Sequence, residues 1–209
     1  STGSLANTKD IIVDGIPASV LSVSSTSDNG AYKIGDDVLI TVQFNEVVTV
    51  TGVPQLTLET GTNDGVASYS IGSGTNTLSF IYTIIAGHEN SDLEYNSSTA
   101  FSLNNSVIQD LAGNNVSLTL PTVGETGSLA TNKDIVIDGV FAMVDSVSAI
   151  TANGYYKAGD TLNITVHFDE NVNVTAIPQL ALETGSNDAT IYYTSGSGTS
   201  ILTFQYIAD

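Results

Sequence analysis

Val38, Ile40, Val42 and Phe44 alternate along the chain with Leu39, Thr41 and Gln43. A period of two marks a strand with one buried face, so the stretch predicts a strand with the first set inward. Leu78, Phe80, Tyr82 and Ile84 behave alike, with Ser79, Ile81 and Thr83 outward, and Leu56 and Leu58 alternate with Gln55 and Thr57. Shorter strands are expected over 20–24, 66–71, 101–103, 107–108, 116–120 and 134–138. The clusters DNG, TGTNDG, GSGTN, LNNS and DLAGNN punctuate them as turns. No stretch predicts a long helix.

The pattern is written twice. NGAYKIGDDVLITVQF from Asn29 returns as NGYYKAGDTLNITVHF from Asn153, an offset of 124 residues, the difference between 153 and 29. The same offset carries PQLTLETG at Pro54 onto PQLALETG at Pro178, and GSGTNTLSF at Gly72 onto GSGTSILTF at Gly196. It also carries TGSLANTKDIIVDG at Thr2 onto TGSLATNKDIVIDG at Thr126. No gap is needed, and about half of the aligned positions are identical. The inner positions stay apolar in the second copy, as Leu162, Ile164, Val166 and Phe168, whereas outward Leu39 becomes Asn163. Repetition at a fixed period points to a tandem architecture. The frame predicts the terminal strand of a preceding repeat plus a linker over 1–16, a complete repeat over 17–139, and an incomplete second repeat over 140–209. The chain thus reads as a window from a longer array. Short strands at this spacing predict an all-β fold of tandem immunoglobulin-like antiparallel β-sandwich repeats.

Composition narrows the function. Four Lys stand against 22 carboxylates, giving a net charge of -18. Such a field repels phosphate, which argues against nucleic acid and anionic membrane surfaces as partners. No segment approaches the roughly 20 apolar residues of a membrane span, and no basic-then-apolar leader opens the sequence. There is no Cys and no Trp, so thiol nucleophiles and Cys-zinc sites are closed, and a sugar hydrolase would lack its usual indole platforms. The two histidines, His88 and His167, are not repeat partners, and each reads as a solvated side chain. No nucleophile, metalloprotease or phosphate-loop motif is present, so no catalytic centre is expected.

The run YKIGDDVLITVQFNEVVTVTGVPQLTLETG, followed by SDLEY, DLAGNN and NKDIVIDG, resembles the long repeats of giant bacterial surface proteins. The family it is most similar to is the SWM repeat of cyanobacterial swimming-associated proteins, and similar units occur in very large adhesins of gliding Bacteroidetes. The resemblance implies an exported, cadherin-like module that extends an adhesin from the bacterial cell surface, without catalysis. Its implied partners are neighbouring repeats and, at the adhesin's business end, a host surface, a polysaccharide or the protein itself. The alternatives are a ligand-binding adhesin domain, with Tyr155, Tyr192 and Tyr193 as unit-specific candidates, and a filament subunit assembled by strand donation.

The acid needs a destination. If successive strands simply reverse, alternate loops gather at one pole, bringing together Asp28, Asp36, Asp37, Glu59, Asp64, Glu89 and Asp92 near Asp138. Asp169 and Glu170 of the second copy are expected to face them. The opposite set of loops brings Glu46, Asp110 and Asn114 together. Crowded carboxylates repel, and calcium, which takes six to eight oxygen ligands, resolves this. The expectation is therefore a calcium-stiffened array. Asp36, Asp37, Glu59, Asp64, Glu89, Asp92, Asp138, Asp169 and Glu170 are the leading ligand set and Glu46, Asp110 and Asn114 the alternative. A local turn in DLAGNN, with Asp110 accepting backbone N–H groups, is an equal reading of that motif.

Overall fold

The alternation predicted for 38–44 is realised in a computed structural model that describes residues 9–209. Val38, Ile40, Val42 and Phe44 are fully buried, whereas Leu39 is 39% exposed. They lie on a long strand that organises the first of two compact units, 1–140 and 141–209.

The strands of the first unit are β1 (Val20–Ser25), β2 (Gly30–Lys33), β3 (Asp37–Thr51), β4 (Gln55–Glu59), β5 (Gly65–Ile71), β6 (Thr75–Thr83), β7 (Glu89–Asn90), β8 (Glu94–Tyr95), β9 (Phe101–Ser102), β10 (Val107–Asp110) and β11 (Ile135–Asp138). A single-turn helix, α1 (Leu129–Asn132), precedes β11. One sheet runs β1-β3-β6-β5-β4-β8, with β10 on the far half of β3 and β9 on β4; a second runs β2-β11-β7. The pairs in the large sheet are antiparallel, and among the described residues the fold is all-β apart from α1. The β11–β2 pair, however, is parallel, with Ile135 opposite Gly30 and Asp138 opposite Lys33. This departs from the expected simple reversal of successive strands. The expected strand over 116–120 is also absent. Its backbone donors are split between Ile108, Ala18 and Ser98, so no one neighbour offers a ladder.

The core of this unit joins both sheets. Leu56, Leu58, Leu78, Phe80, Tyr82 and Ile84 meet Leu93, Tyr95, Phe101, Ile108, Leu129, Ile135 and Ile137. Phe101 packs edge-on to Phe80 at 5.5 Å and tilted against Phe44 at 6.4 Å. The SDLEY motif has a structural role here. Buried Glu94 accepts the N–H groups of Leu129 and Ala130 at 3.1 and 3.2 Å, which satisfies two of the donors left open at the start of α1.

The second unit comprises β12 (Val144–Ala149), β13 (Thr161–Val172), β14 (Gln179–Leu182), β15 (Ala189–Ser195) and β16 (Thr199–Ile207), in one sheet ordered β12-β13-β16-β15-β14. Its ladder repeats the first at the 124-residue offset. Val20 opposite Phe44 becomes Val144 opposite Phe168, and Asp37 opposite Thr83 becomes Thr161 opposite Ile207. Irregularities recur too: the register shift between Gln43 and Val48 reappears between His167 and Val172. The turn before β6 recurs as well. Gly72 and Gly196 sit at φ 117° and 112°, where a Cβ would lie 2.2 and 2.0 Å from a facing carbonyl oxygen. Burial does not repeat. Leu162, Ile164 and Phe168, predicted inward, are only half-buried, and the core reduces to Val166, Ile191, Leu202 and Phe204 with half-buried neighbours. In the first unit, side chains from 93–137 cover the same sheet face.

Residues 1–8 of the expected terminal strand lie outside the described residues, and 9–15 form no strand.

Candidate metal centre

Three segments converge where β3 changes partner. Glu46 sits in the irregular stretch between the two ladder registers of β3, and Asp110 ends β10 opposite Val48. Asp14 is brought in by the linker, which is pinned by several bonds. Ser19 N–H donates to Asn45 Oδ1 at 2.8 Å, Asn45 N–H donates to the Ser19 carbonyl, and Asn114 Nδ2 donates to the Asp14 carbonyl at 3.2 Å. Carboxylate oxygens of Asp14, Glu46 and Asp110 all lie within 4.8 Å of one another. Asp110 is buried and the other two are half-buried. A pocket of about 320 Å³ adjoins them, lined by Ile12, Asp14, Glu46, Leu111 and Ala112.

The DLAGNN segment folds as a turn on Asp110. Its Oδ1 accepts Ala112 N–H at 2.9 Å and Asn114 N–H at 2.8 Å, and its Oδ2 accepts Asn114 Nδ2 at 2.8 Å. Gly113 supplies the φ of 90° the turn requires. Burial alone would raise the Asp110 carboxyl, but the bonds from Asn114, Ala112 and Gly113 outweigh it and hold it below its ordinary range. Glu46 is shifted the other way, by burial first and then by the charges of Asp14 and Asp110. Each carboxylate oxygen carries two acceptor directions, so Asp110 keeps one on Oδ2 for a cation. Asn114 spends its amide on Asp110 and the Asp14 carbonyl, and so serves as the brace of the group.

The donor set is all oxygen and uncompensated by any Lys, which fits a hard divalent cation such as calcium. Asp14, Glu46 and Asp110 would hold it, and the remaining ligands would be carbonyls and water. The shift at Glu46 fixes the sign of the pH response. A carboxyl raised in the folded state weakens the fold while ionised, so in chelator acidification through its titration relieves this penalty. A calcium ion held there would require the ionised form, so its affinity would fall over that same interval. Calorimetric titration with calcium at a series of pH values is expected to show that decline, and a Glu46→Gln variant is expected to lose most of it.

The other expected ligands are dispersed. Asp36 pairs with Lys33 at 3.0 Å, and the hydrogen bonds from Lys33 hold its carboxyl below the usual range. Asp37 accepts the Thr83 hydroxyl, Glu59 the Gly61 N–H, and Asp64 the Asn96 amide. Glu89 lies on β7 opposite Asp138. Asp92 is raised by burial and by Asp134 and Glu94. Among the described residues of the first unit, none of these, nor Asp28, joins a group of three carboxylates within ligand distance. In the second unit Asp169 accepts Met143 N–H at 2.8 Å, the bond Asn45 makes to Ser19, and Glu170 follows it on β13. The group that lies within ligand distance holds Glu46 and Asp110 of the alternative together with Asp14, and none of the leading set. Asp14 went unselected although the 124-residue offset carries Asp138, a selected residue, back onto it.

His88 is a correction. It is 6% exposed, stacks on Tyr82 at 5.9 Å and shares a 2.8 Å hydrogen bond through Nδ1 with the Tyr82 hydroxyl. Burial pushes that hydroxyl up to about 12. The loop after β6 is drawn inward by Gly139, whose N–H donates to the His88 carbonyl and whose carbonyl accepts Gly87 N–H. His167 is half-buried, 3.1 Å from the Thr165 hydroxyl. Tyr193 is not unit-specific in its role. It packs edge-on to Phe204 and accepts Ser197 N–H, as Tyr69 does with Phe80 and Ser73. Tyr155 and Tyr192 are exposed. No described helix is long and apolar enough to cross a membrane.

The chain matches no family model, and no curated protein is detectably similar to it.

Proposed function

We propose that the chain is a non-catalytic structural repeat module that lends length to a large bacterial cell-surface adhesin and is stiffened by calcium at Asp14, Glu46 and Asp110. The observation that carries this reading is the strand-for-strand recurrence of one ladder at a 124-residue offset, irregularities included. A spacer gains length by copying its fold, whereas a reactive or recognition centre gains nothing from a near-copy. The resemblance of its motifs to SWM-type repeats favours an immunoglobulin-like sandwich and an extracellular setting. The acid group supports the ion, because it brings the linker before β1 against β3 and β10, where one cation would brace three segments. Single-molecule extension tests the reading. Calcium is expected to raise the force at which the first unit yields, and Glu46→Gln to remove that increment. A yield force indifferent to calcium and to Glu46 would contradict it.

A further inference from the structure

Two groups that can react with each other stand side by side at the start of β2. Asn29 is followed by Gly30, and both are exposed to water. Asn is a thermally labile residue, most of all before Gly. Once the Gly30 nitrogen loses its proton it can attack the side-chain amide carbon of Asn29, and glycine has no Cβ to obstruct the approach.

Both reacting groups are tied to a single residue at the entry to β11. Gly30 N–H donates to the Asp134 carbonyl at 3.0 Å, and Asp134 N–H donates to Asn29 Oδ1 at 3.3 Å. The first bond holds the proton that the nucleophile must lose. The second fixes the amide that must turn onto that nitrogen. Asp134 is held in turn by its neighbours. β11 pairs in parallel with β2, from Ile135 opposite Gly30 to Asp138 opposite Lys33. Ile135 and Ile137 are 0 and 1% exposed, and Leu93 N–H donates to the Ile135 carbonyl at 2.7 Å. Lys133 Nζ donates to the Ser27 carbonyl at 2.7 Å. The clamp on Asn29 therefore lasts only while β11 stays seated.

We propose that Asn29 is a site of spontaneous deamidation that β11 holds shut, so that each departure of β11 from β2 exposes the first unit to a one-way chemical change. The Gly30 N–H gives its proton to hydroxide, a bond forms between Gly30 N and Asn29 Cγ, and ammonia leaves Cγ. Water then opens the cyclic imide at either carbonyl, to aspartate or to isoaspartate. Either product adds a carboxylate next to Asp28 in sequence and to Asp134 in space. Isoaspartate also lengthens the main chain by a methylene immediately before the paired positions of β2, so β11 no longer finds its register.

Lys9 and Lys33 bound a tryptic peptide, 10–33, in which Asn29 is the sole amide side chain, so its conversion to acid reads directly by mass. The full chain is aged at mildly alkaline pH, native and in urea. Asn29 is expected to convert in urea, and at least ~100-fold more slowly in the native chain, because only opened molecules react. Ile137→Val trims a buried methylene and keeps the fold. It is expected to speed the native reaction roughly 2–10-fold and to leave the rate in urea unchanged. In the isoaspartyl product, the amides of Ile135–Asp138 are expected to lose their protection against hydrogen exchange. Absence of conversion in urea, a native rate equal to that in urea, a native rate indifferent to Ile137→Val, or an isoaspartyl product whose β11 amides stay protected would each overturn the proposal.

Discussion

Phe44→Ala is expected to destabilise the first unit by about 3–5 kcal/mol, the ordinary cost of removing a fully buried ring. Phe168→Ala, its repeat partner, is expected to cost only about 1–2 kcal/mol in the second. The two rings hold the same ladder position, opposite Val20 and Val144. What differs is the covering layer. Phe44 is fully buried and faces Phe101 at 6.4 Å, whereas Phe168 is half-buried. Urea unfolding followed by circular dichroism, with each variant compared to wild type, measures both losses. Equal losses would mean that the second sheet is covered as completely as the first.

Calcium is expected to stabilise the first unit against heat. At free calcium one hundred times the dissociation constant, the gain is about 2.7 kcal/mol, on the order of 5–10 °C in melting temperature. Asp14→Asn or Glu46→Gln is expected to abolish the shift. In chelator the same variants are expected to melt no lower than wild type, because each removes a like charge from the group that raises Glu46. This reversal separates a cation site from a merely structural cluster, where the substitutions would lower the melting temperature with or without calcium. Scanning calorimetry with calcium, magnesium and chelator reads all arms.

The strands were legible because burial on one face imposes a period of two, which β3 obeys at Val38, Ile40, Val42 and Phe44, β4 at Leu56 and Leu58, and β6 at Leu78, Phe80 and Tyr82. The repeat was legible because the offset is gapless. The parallel seat of β11 on β2 was not, since a pairing across about a hundred residues leaves no mark in local periodicity. His88 misled for a similar reason: GHENSD is polar as a string, and only the bonds to Gly139 carry it inside. Half-burial in the second unit was invisible to alternation, which records which face is apolar and not what covers it. Glu46 and Asp110 were paired by counting strand reversals. Asp14 was missed because the linker belongs by sequence to one repeat and by contact to the next.

Hydrogen exchange of individual amides tests the central claim, that one fold is built twice. Along Val38–Phe44 and Leu162–Phe168, protected and unprotected amides are expected to fall at the same positions, 124 residues apart, with the second set opening more readily. Protection that follows unrelated patterns in the two stretches, or that is absent from Leu162–Phe168, would contradict the account.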